Sequence, residues 1–385
     1  MQVSASAGVV PRISAAELAR ARVLRDLTEP AGGPHALQQL IESIAAALAS
    51  AWSCDVLVHR ADPVVSVHDN YDALHYPSDG ASREARYSRY VTADRLLRTH
   101  TSAVIPPLLR SLAGATPPVR DTLLVCPGLV YRRDAIDRLH TGEPHQCDLW
   151  RISRGRLTTT DLGEMIGIVA GALGPDVEIR TVAARHPYTT DGLQVDAHTV
   201  GEWVEICECG MALPGLLAEC GLDPNAYTGL AMGLGLDRLL MLVKGIDDIR
   251  LLRATDPRIA GQMLDRARYR PVSDKPPIRR DLSIAVREDM TPEEIGDRVR
   301  SVLGADSGAL ESVEVLSETL HAGLPAAAIE RIGMLRGQKN VLLRVVIRDL
   351  TRTLTAHEGN VLRDRVYAAL HEGTNWQWAT TPNGP

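Results

Sequence analysis

Strand-like and helix-like segments alternate along this chain of 385 residues without the regular period of a doubly wound βαβ sheet. Apolar residues at helical spacing predict a helix over 36–51, and a buried strand is predicted from Leu123 to Tyr131. Further strands are predicted near 146–152, 177–182 and 201–211. This order favours an α+β fold, in which an antiparallel sheet is flanked by helices.

A proline-rich stretch at 256–278 interrupts the pattern and predicts a linker. A compact strand-helix-strand-strand-helix order follows it, which is typical of a ferredoxin-like domain that lacks only a clear last strand. Its first helix opens with Thr291-Pro292-Glu293-Glu294, which has the sequence of a capping box. The predicted organisation is an N-terminal extension (1–33), a first domain (34–255), a linker (256–273), a ferredoxin-like domain (274–374) and a tail (375–385).

Composition excludes several classes of protein. No apolar run approaches the roughly 20 residues that a membrane-spanning helix needs, so we expect no membrane partner. Six sparse cysteines without paired CxxC motifs argue against a disulfide scaffold and a structural zinc site, and they favour a cytoplasmic location. A net charge of −6 argues against binding nucleic acid through bulk charge, although a local patch stays open. The chain contains no phenylalanine.

Two arginines stand where a predicted element ends or begins. Arg132 follows the buried strand, and an arginine there can hold a phosphate or a carboxylate with two hydrogen bonds. Arg238 follows Gly229, Gly233 and Gly235, and glycines allow the backbone to approach a ligand closely. A surface ion pair and tight helix–strand packing are the structural alternatives.

A second set of polar residues has the groups that a free amino acid requires. An ammonium group needs hydrogen-bond acceptors, which Ser102, Gln146 and Asp148 could supply, while Arg132 could hold the carboxylate. Ordinary hydrogen bonding within loops is the alternative for each of them. His100 and His140 are too scattered in sequence to predict a metal site.

The two arginines, taken in order on an antiparallel α/β domain, resemble motifs 2 and 3 of a class II aminoacyl-tRNA synthetase. The segments that carry a closer resemblance to the phenylalanyl-tRNA synthetase catalytic chain are NYDAL (70–74), LLRTHTSA (96–103), YRRD (131–134), HQCD (145–148), HPYT (186–189), WVEI (203–206) and GLAMGLGLDRLLML (229–242). RRDL (279–282) and RTLT (352–355) resemble that family's anticodon-binding domain. Both domains on one chain resemble the mitochondrial single-chain layout.

The resemblance implies a role for each matching residue. Arg132 would bind the α-phosphate of ATP and the substrate carboxylate, Arg238 the γ-phosphate, and His140 would lie near the phosphates. The ATP site would also include Gly235, and Glu205, with Asp134, would help to place Mg²⁺. The groups around the substrate ammonium would be His100, Ser102, Gln146 and Asp148. The side-chain pocket would have His186 and Tyr188 as walls and Thr189 and Ala231 as its floor.

Several positions depart from the family pattern. His186-Pro187-Tyr188 replaces FPF, Asp148 replaces a glutamate, Glu208 replaces a small residue, and Thr190 replaces an acidic one. A histidine and a tyrosine in the pocket would suit a more polar substrate, such as a hydroxylated aromatic amino acid. However, family phenylalanines are also replaced outside the pocket, for example at Tyr71 and Tyr131, so removal of phenylalanine from the whole chain explains the pattern better.

The expected function is ATP-dependent aminoacylation of tRNA(Phe) with phenylalanine through an aminoacyl-adenylate, as a monomer or a homodimer. Lack of phenylalanine would let an inhibitor-tolerant second copy be translated when Phe-tRNA is scarce, or would protect an enzyme that loads a non-standard amino acid. A paralogue that activates a non-standard aromatic amino acid, with or without transfer to tRNA, is the alternative, and a binding module without catalysis is a third.

Overall fold

The computed structural model describes residues 11–174, 177–198, 202–272 and 276–376. Contacts divide the chain into two units. The first unit comprises residues 1–132, 143–246 and 263–268, and the second unit comprises 133–142, 247–262 and 269–385. The predicted tail beyond residue 376 and the first ten residues of the predicted extension lie outside the described residues.

The first unit contains nine strands and seven α-helices among its described residues. The strands are β1 (Asp55–Val58), β2 (Val64–Ser66), β3 (Arg95–Leu97), β4 (Asp121–Leu129), β5 (His145–Ser153), β6 (Ile179–Ala183), β7 (Thr189–His198), β8 (Trp203–Ala212) and β9 (Thr228–Gly235). The helices are α1 (Ala15–Val23), α2 (Ala36–Trp52), α3 (Val67–Asn70), α4 (Ile105–Ala113), α5 (Thr159–Gly171), α6 (Pro214–Glu219) and α7 (Leu236–Lys244).

Seven of these strands form one sheet, in the order β1-β4-β5-β9-β8-β7-β6. Only the β1–β4 pair is parallel; every other neighbouring pair is antiparallel. Strands β2 and β3 form a separate antiparallel pair. The α+β prediction of an antiparallel sheet with flanking helices is therefore confirmed.

One face of the sheet, here called the helix face, is covered by α2, α5 and α7. The guanidinium of Arg151 on β5 lies 4.4 Å from the ring centre of Trp52 on α2. His145, also on β5, places Nδ1 2.7 Å from Asp237 Oδ1 on α7. Leu149 lies between these two residues in the same strand and is 1% exposed. Because side chains alternate along a strand, these residues share one face, and the helices bury it.

The opposite face, here called the site face, is covered at one end only. Helices α4 and α6 pack their apolar side chains there against Trp150, Ile152 and Ala231. Gln146 and Asp148 continue the same face of β5 beyond the covered end. The site face therefore carries both an apolar cluster and a polar end.

The second unit contains three strands and four α-helices among its described residues. They are α8 (Pro257–Ala260), β10 (Ile278–Arg287), α9 (Pro292–Leu303), β11 (Leu310–Leu320), α10 (Ala326–Ile332), β12 (Gln338–Ile347) and α11 (Ala356–Leu370). The strands form an antiparallel sheet in the order β10-β12-β11. The predicted capping box is confirmed, because the Thr291 hydroxyl accepts a hydrogen bond from Glu294 N and the Glu294 carboxylate accepts one from Thr291 N.

That strand order is the one expected for the first three strands of a ferredoxin-like domain, and no fourth strand joins it within the described residues. Residues 133–142 are part of this unit. Ile136 is 8% exposed within its apolar core, and Arg300 Nη1 donates to Asp134 O at 2.6 Å. The assignment as a ferredoxin-like domain stays a prediction.

Two features near the site are absent from the local sequence pattern. The glycines of 229–235 lie within β9, and α7 begins directly at Leu236. Strand β7 begins at Thr189, where the sequence pattern indicates only a pocket motif. In both places cross-strand hydrogen bonds decide the structure, and a local pattern does not contain them.

Candidate active site

The floor of the candidate site is a patch of small residues on the site face. Gly235, Gly233 and Ala231 on β9 lie opposite Gln146, Asp148 and Trp150 on β5. On the other side of β9, Gly233 lies opposite Glu208, and Ala231 lies opposite Gly210, both on β8. Residues that pair directly across an antiparallel ladder share a face, so these side chains project over one floor that leaves room for a ligand.

Asp148 is buried at this floor and already has two hydrogen-bond donors. Its Oδ1 accepts from Thr101 Oγ1 at 2.7 Å, and its Oδ2 accepts from Trp150 Nε1 at 3.0 Å. The side chain is 2% exposed, and burial raises the pKa of the Asp148 carboxyl while these donors and Ser102 oppose the rise. Both carboxylate oxygens are therefore used in holding the surrounding structure.

Aromatic rings stand around the floor. Tyr76 stacks on His100 with 5.3 Å between ring centres, and Tyr188 stacks on Trp150 at 6.0 Å. The Tyr76 and Tyr188 rings are 6.2 Å apart. Burial raises the pKa of both tyrosines, and the nearby carboxylates of Asp148 and Glu208 add to this rise. Both rings thus lie within the field of both carboxylates.

His100 is a neutral acceptor within this aromatic group. Burial, and then the charge of Arg132, lower its pKa to about 3. Nδ1 and Nε2 are both buried, and neither has a hydrogen-bond partner of normal geometry among the described residues. A neutral imidazole has one nitrogen that donates and one that accepts, so this ring can still bind a ligand.

His186 and Glu208 form a pair that the family pattern lacks. His186 Nε2 lies 3.3 Å from Glu208 Oε2, and His186 Nδ1 lies 3.2 Å from Thr189 Oγ1. The contact with His186 is the main cause that lowers the pKa of Glu208, and Arg132 contributes. The Glu208 side chain is 45% exposed, so an ionised carboxylate faces the floor and stays accessible.

Arg132 and Arg238 approach the same floor from two elements. Arg132 lies just after β4, where it bridges to Ser88, and Arg238 lies in the first turn of α7. Arg238 Nη1 is 3.3 Å from Glu205 O and 3.9 Å from Glu205 Oε1. Burial and then Glu208 raise the pKa of Glu205, and both arginines oppose that rise. Glu205 therefore lies within the field of both guanidinium groups.

Close packing requires a glycine at one edge of the pocket. A Cβ on Gly210 would lie 2.8 Å from Thr189 Cβ and 2.8 Å from Thr190 O. The absence of that Cβ lets Thr189, at the start of β7, approach β8. Thr189 and Ala231 are thereby both placed beside Gly210, as a shared pocket floor would require.

Two residues expected at the ATP site have their described contacts in the second unit. Asp134 Oδ1 accepts from Ala135 N at 2.9 Å, and Arg300 donates to the Asp134 carbonyl. His140 Nδ1 lies 2.7 Å from Asp137 Oδ2. The structure brings the other expected site residues together on the first unit, and the role of Asp134 and His140 at ATP stays a prediction.

Asp237, in the glycine-rich motif, has a structural role. Its carboxylate accepts from His145 N at 2.8 Å and contacts His145 Nδ1 at 2.7 Å. His145 Nε2 in turn accepts from Leu27 N at 3.1 Å. The aspartate thus fastens the start of α7 to the start of β5, on the helix face, and so helps to position Arg238.

Three residues at the site escaped the sequence analysis. Trp150 continues the alternation Gln146, Asp148, Trp150 on β5, so the period of two could have identified it. Thr101 adjoins Ser102, but the sequence does not show which hydroxyl reaches Asp148. Tyr76 carries no sequence signal, because only long-range packing brings it beside His100.

The described residues contain no group of three or more His, Cys, Asp or Glu side chains placed to hold a metal ion. A magnesium ion bound chiefly through nucleotide phosphates needs only one or two carboxylates from the protein. Glu205 fits that requirement, because burial and then the carboxylates of Glu208 and Asp196 raise its pKa, and a cation would offset the repulsion between the carboxylates. Within the described residues, no helix is long and apolar enough to cross a membrane.

Comparison with known proteins agrees with this geometry. The chain is 40% identical to the phenylalanine–tRNA ligase alpha subunit of Nostoc punctiforme over 193 residues, which cover 50% of this chain and 56% of that protein. It is 35% identical to the same subunit of Clostridium beijerinckii, over 51% of this chain and 59% of that one. The chain thus spans little more than half the length of these relatives.

Among solved structures, pyrrolysyl-tRNA synthetase from Desulfitobacterium hafniense gives a TM-score of 0.45 at 18% identity, over 66% of this chain and 81% of that one. Residues 24–263 match the family described as tRNA synthetases class II core domain (F). The match covers more than half of the sequence and includes β1 to β9 and both arginines of the site. The chain therefore belongs to the class II tRNA synthetase core family.

Proposed function

We propose that the protein catalyses ATP-dependent aminoacylation of tRNA(Phe) with phenylalanine through an aminoacyl-adenylate. The observation that carries this proposal is the position of Arg238, whose Nη1 lies 3.9 Å from Glu205 Oε1 beside a floor of glycines, and Arg132 acts on the same carboxylate. Two guanidinium groups at a floor without side chains suit a triphosphate, because arginine binds phosphate with paired hydrogen bonds.

The chemistry needs positioning and charge compensation more than proton transfer. The amino-acid carboxylate attacks the α-phosphorus in line, a new O–P bond forms, and pyrophosphate leaves with the electrons of the broken bond. Arg132 would bind the α-phosphate and the attacking carboxylate, and Arg238 the γ-phosphate. Cations held in place before the reaction lower the cost of charge that grows on the phosphates.

Magnesium would screen charge on the β- and γ-phosphates when it is bound with ATP, and Glu205 is the residue that would help to hold it. The protein's own part is to keep Glu205 ionised beside the nucleotide. Arg238, within 3.9 Å of that carboxylate, favours the ionised form.

Transfer to tRNA would follow in a second step. A terminal hydroxyl of the tRNA attacks the carbonyl carbon of the adenylate, and AMP leaves; the resemblance implies the 2′-hydroxyl. We assign residues 274–374 to anticodon binding by resemblance. They hold 14 Lys and Arg against 16 Asp and Glu, so RNA contact would depend on a local patch.

The relatives are named as alpha subunits, whereas we propose that this chain acts as a single-chain enzyme, as a monomer or a homodimer in the cytoplasm. Charging activity of the purified chain alone would support that layout. Activity that appears only after an added partner subunit would contradict it.

A second candidate function is activation of a non-standard aromatic amino acid. The observation in its favour is the His186–Glu208 pair, which adds a carboxylate at a position that the family pattern gives to a small residue. Under either function, lack of phenylalanine would let the chain be made when Phe-tRNA is scarce. Depletion of the housekeeping enzyme should then spare synthesis of this chain relative to ordinary proteins, and an equal fall would exclude that advantage.

Pyrophosphate exchange is the test of the proposed function. We expect exchange that depends on an added amino acid, with phenylalanine the best of a panel of phenylalanine, tyrosine, meta-tyrosine and tryptophan, followed by charging of tRNA(Phe). Preference for a hydroxylated amino acid would favour the second candidate, and exchange without charging would favour a paralogue that has lost tRNA. No exchange with any of them would refute both enzymatic functions.

A further inference from the structure

The site has two carboxylates on one face, and their surroundings differ. Asp148 and Glu208 both lie opposite Gly233, one on each neighbouring strand, so the three form a single row across the sheet. A Cβ on Gly233 would be 3.8 Å from Asp148 Oδ1, in ordinary contact. Because Gly233 has no side chain, the space between the two carboxylates is not filled from the floor.

Asp148 has little capacity for a ligand. Each of its oxygens already accepts a hydrogen bond from the protein, from Thr101 and from Trp150, and its side chain is 2% exposed. Each oxygen could accept a second hydrogen bond, but burial of the side chain restricts the access of a ligand to it.

Glu208 has the opposite character. Its side chain is 45% exposed, and His186 Nε2 lies 3.3 Å from Oε2 without a hydrogen bond of normal geometry, so the carboxylate is able to accept hydrogen bonds from a ligand. The Tyr76 and Tyr188 rings lie within the field of both carboxylates. Aromatic faces beside carboxylates are favourable surroundings for an organic cation.

A further group at the same place is ready to accept a hydrogen bond. His100 stacks on Tyr76, and its two ring nitrogens are buried without a hydrogen-bond partner of normal geometry among the described residues. A neutral imidazole there can accept one N–H of an ammonium group, and an ionised carboxylate can accept another.

We propose that Glu208, positioned by His186, is the carboxylate that binds the α-ammonium group of the amino-acid substrate, and that Asp148 supports the pocket from beneath. This inference rests on the proposed function, since it assumes that an amino acid binds at this floor. In this chain the shorter Asp148 on β5 is accompanied by Glu208 on β8, two strands away across β9.

A comparison of ligands with and without the ammonium group tests the proposal. The ligands are L-phenylalanine and L-tyrosine, and their deamino analogues 3-phenylpropanoate and 3-(4-hydroxyphenyl)propanoate. Calorimetry on the full chain would give the Kd of each for the wild type and for Glu208→Gln. We expect Glu208→Gln to weaken binding of the amino acids about 10- to 100-fold, as for a lost charged hydrogen bond, and to change the Kd of the analogues less than twofold.

Two further variants keep the result interpretable. Glu164→Gln makes the same chemical change on α5, where Glu164 accepts a hydrogen bond from Trp52, and should leave every Kd unchanged. Glu208→Asp keeps the charge and should lose less affinity than Glu208→Gln. This difference would show that the loss of charge, and not misfolding of a variant at this position, weakens binding.

The outcomes separate this inference from the proposed function. Equal weakening of amino acids and analogues by Glu208→Gln, or no weakening, would overturn the assignment of Glu208 while normal exchange left the function standing. Wild-type protein that exchanges pyrophosphate with no aromatic amino acid would overturn the function and this inference with it.

Discussion

The two faces of the seven-stranded sheet use polar residues in opposite ways. On the helix face, Arg151 donates to Asp121 at 3.0 and 2.7 Å and covers Trp52, and His145 is held by Asp237. On the site face, Glu208 is 45% exposed and lies opposite Gly233. The polar residues of the helix face serve stability, whereas the site face holds both a buried, hydrogen-bonded carboxylate, Asp148, and one that is accessible to a ligand, Glu208.

Removal of one arginine from the site face and one from the helix face tests this difference most directly. We expect Arg132→Ala to reduce amino-acid-dependent pyrophosphate exchange about 10³-fold, because under the proposed function it removes the cation that would bind the α-phosphate. Arg151→Ala should lower the free energy of unfolding and leave exchange per folded molecule near normal. Near-normal exchange by Arg132→Ala would refute its role in adenylate formation.

A substitution in the core beneath the helices tests whether the helix face serves stability alone. Leu149 lies on the helix face between His145 and Arg151 and is 1% exposed. Leu149→Ala should cost about 2–5 kcal/mol in the free energy of unfolding, because it removes buried methyl groups and leaves a cavity. Urea unfolding would show a lower midpoint at an unchanged slope, and exchange per folded molecule should not change. A large loss of exchange in fully folded protein would contradict the separation of the two faces.

A third expected effect concerns proton binding at the site. Burial lowers the pKa of His100 to about 3, whereas a histidine in the unfolded chain has a pKa of about 6.5. As pH falls below 6.5 the unfolded state gains a proton that the folded state does not, so stability decreases by up to about 1.4 kcal/mol per pH unit until about pH 3. His100→Gln should reduce this slope between pH 6 and 4, as measured by urea unfolding.

The exposed His68 offers a matched control for that measurement, since its side chain is 65% exposed. His68→Gln makes the same replacement at the surface of the first unit. If both substitutions change the slope equally, burial of His100 is not its cause.

Sequence patterns predicted the parts of the structure that depend on local spacing. The helix expected at 36–51 is α2, the strand expected from Leu123 to Tyr131 is β4, and the capping box at Thr291 forms as its residue types require. These features depend on neighbours a few residues apart, so their signals lie within short windows of sequence.

The parts that escaped prediction depend on residues far apart in the chain. Thr101 and Trp150 occupy both oxygens of Asp148, and His186 meets Glu208, 22 positions further along. Asp134 and His140 were expected at the ATP site; their described contacts lie in the second unit, and their role at ATP stays a prediction. No short window contains such pairings, because they exist only once the strands are in register.

The path of the backbone has a practical consequence. The chain leaves one unit for the other after residues 132, 142, 246, 262 and 268. A single cut in the proline-rich stretch would therefore not yield an intact first half. Ile136 would remain in that half, but the residues that bury it, such as Leu282 and Val345, would be removed. Dissection of this chain by truncation would first require a redesign of residues 133–142.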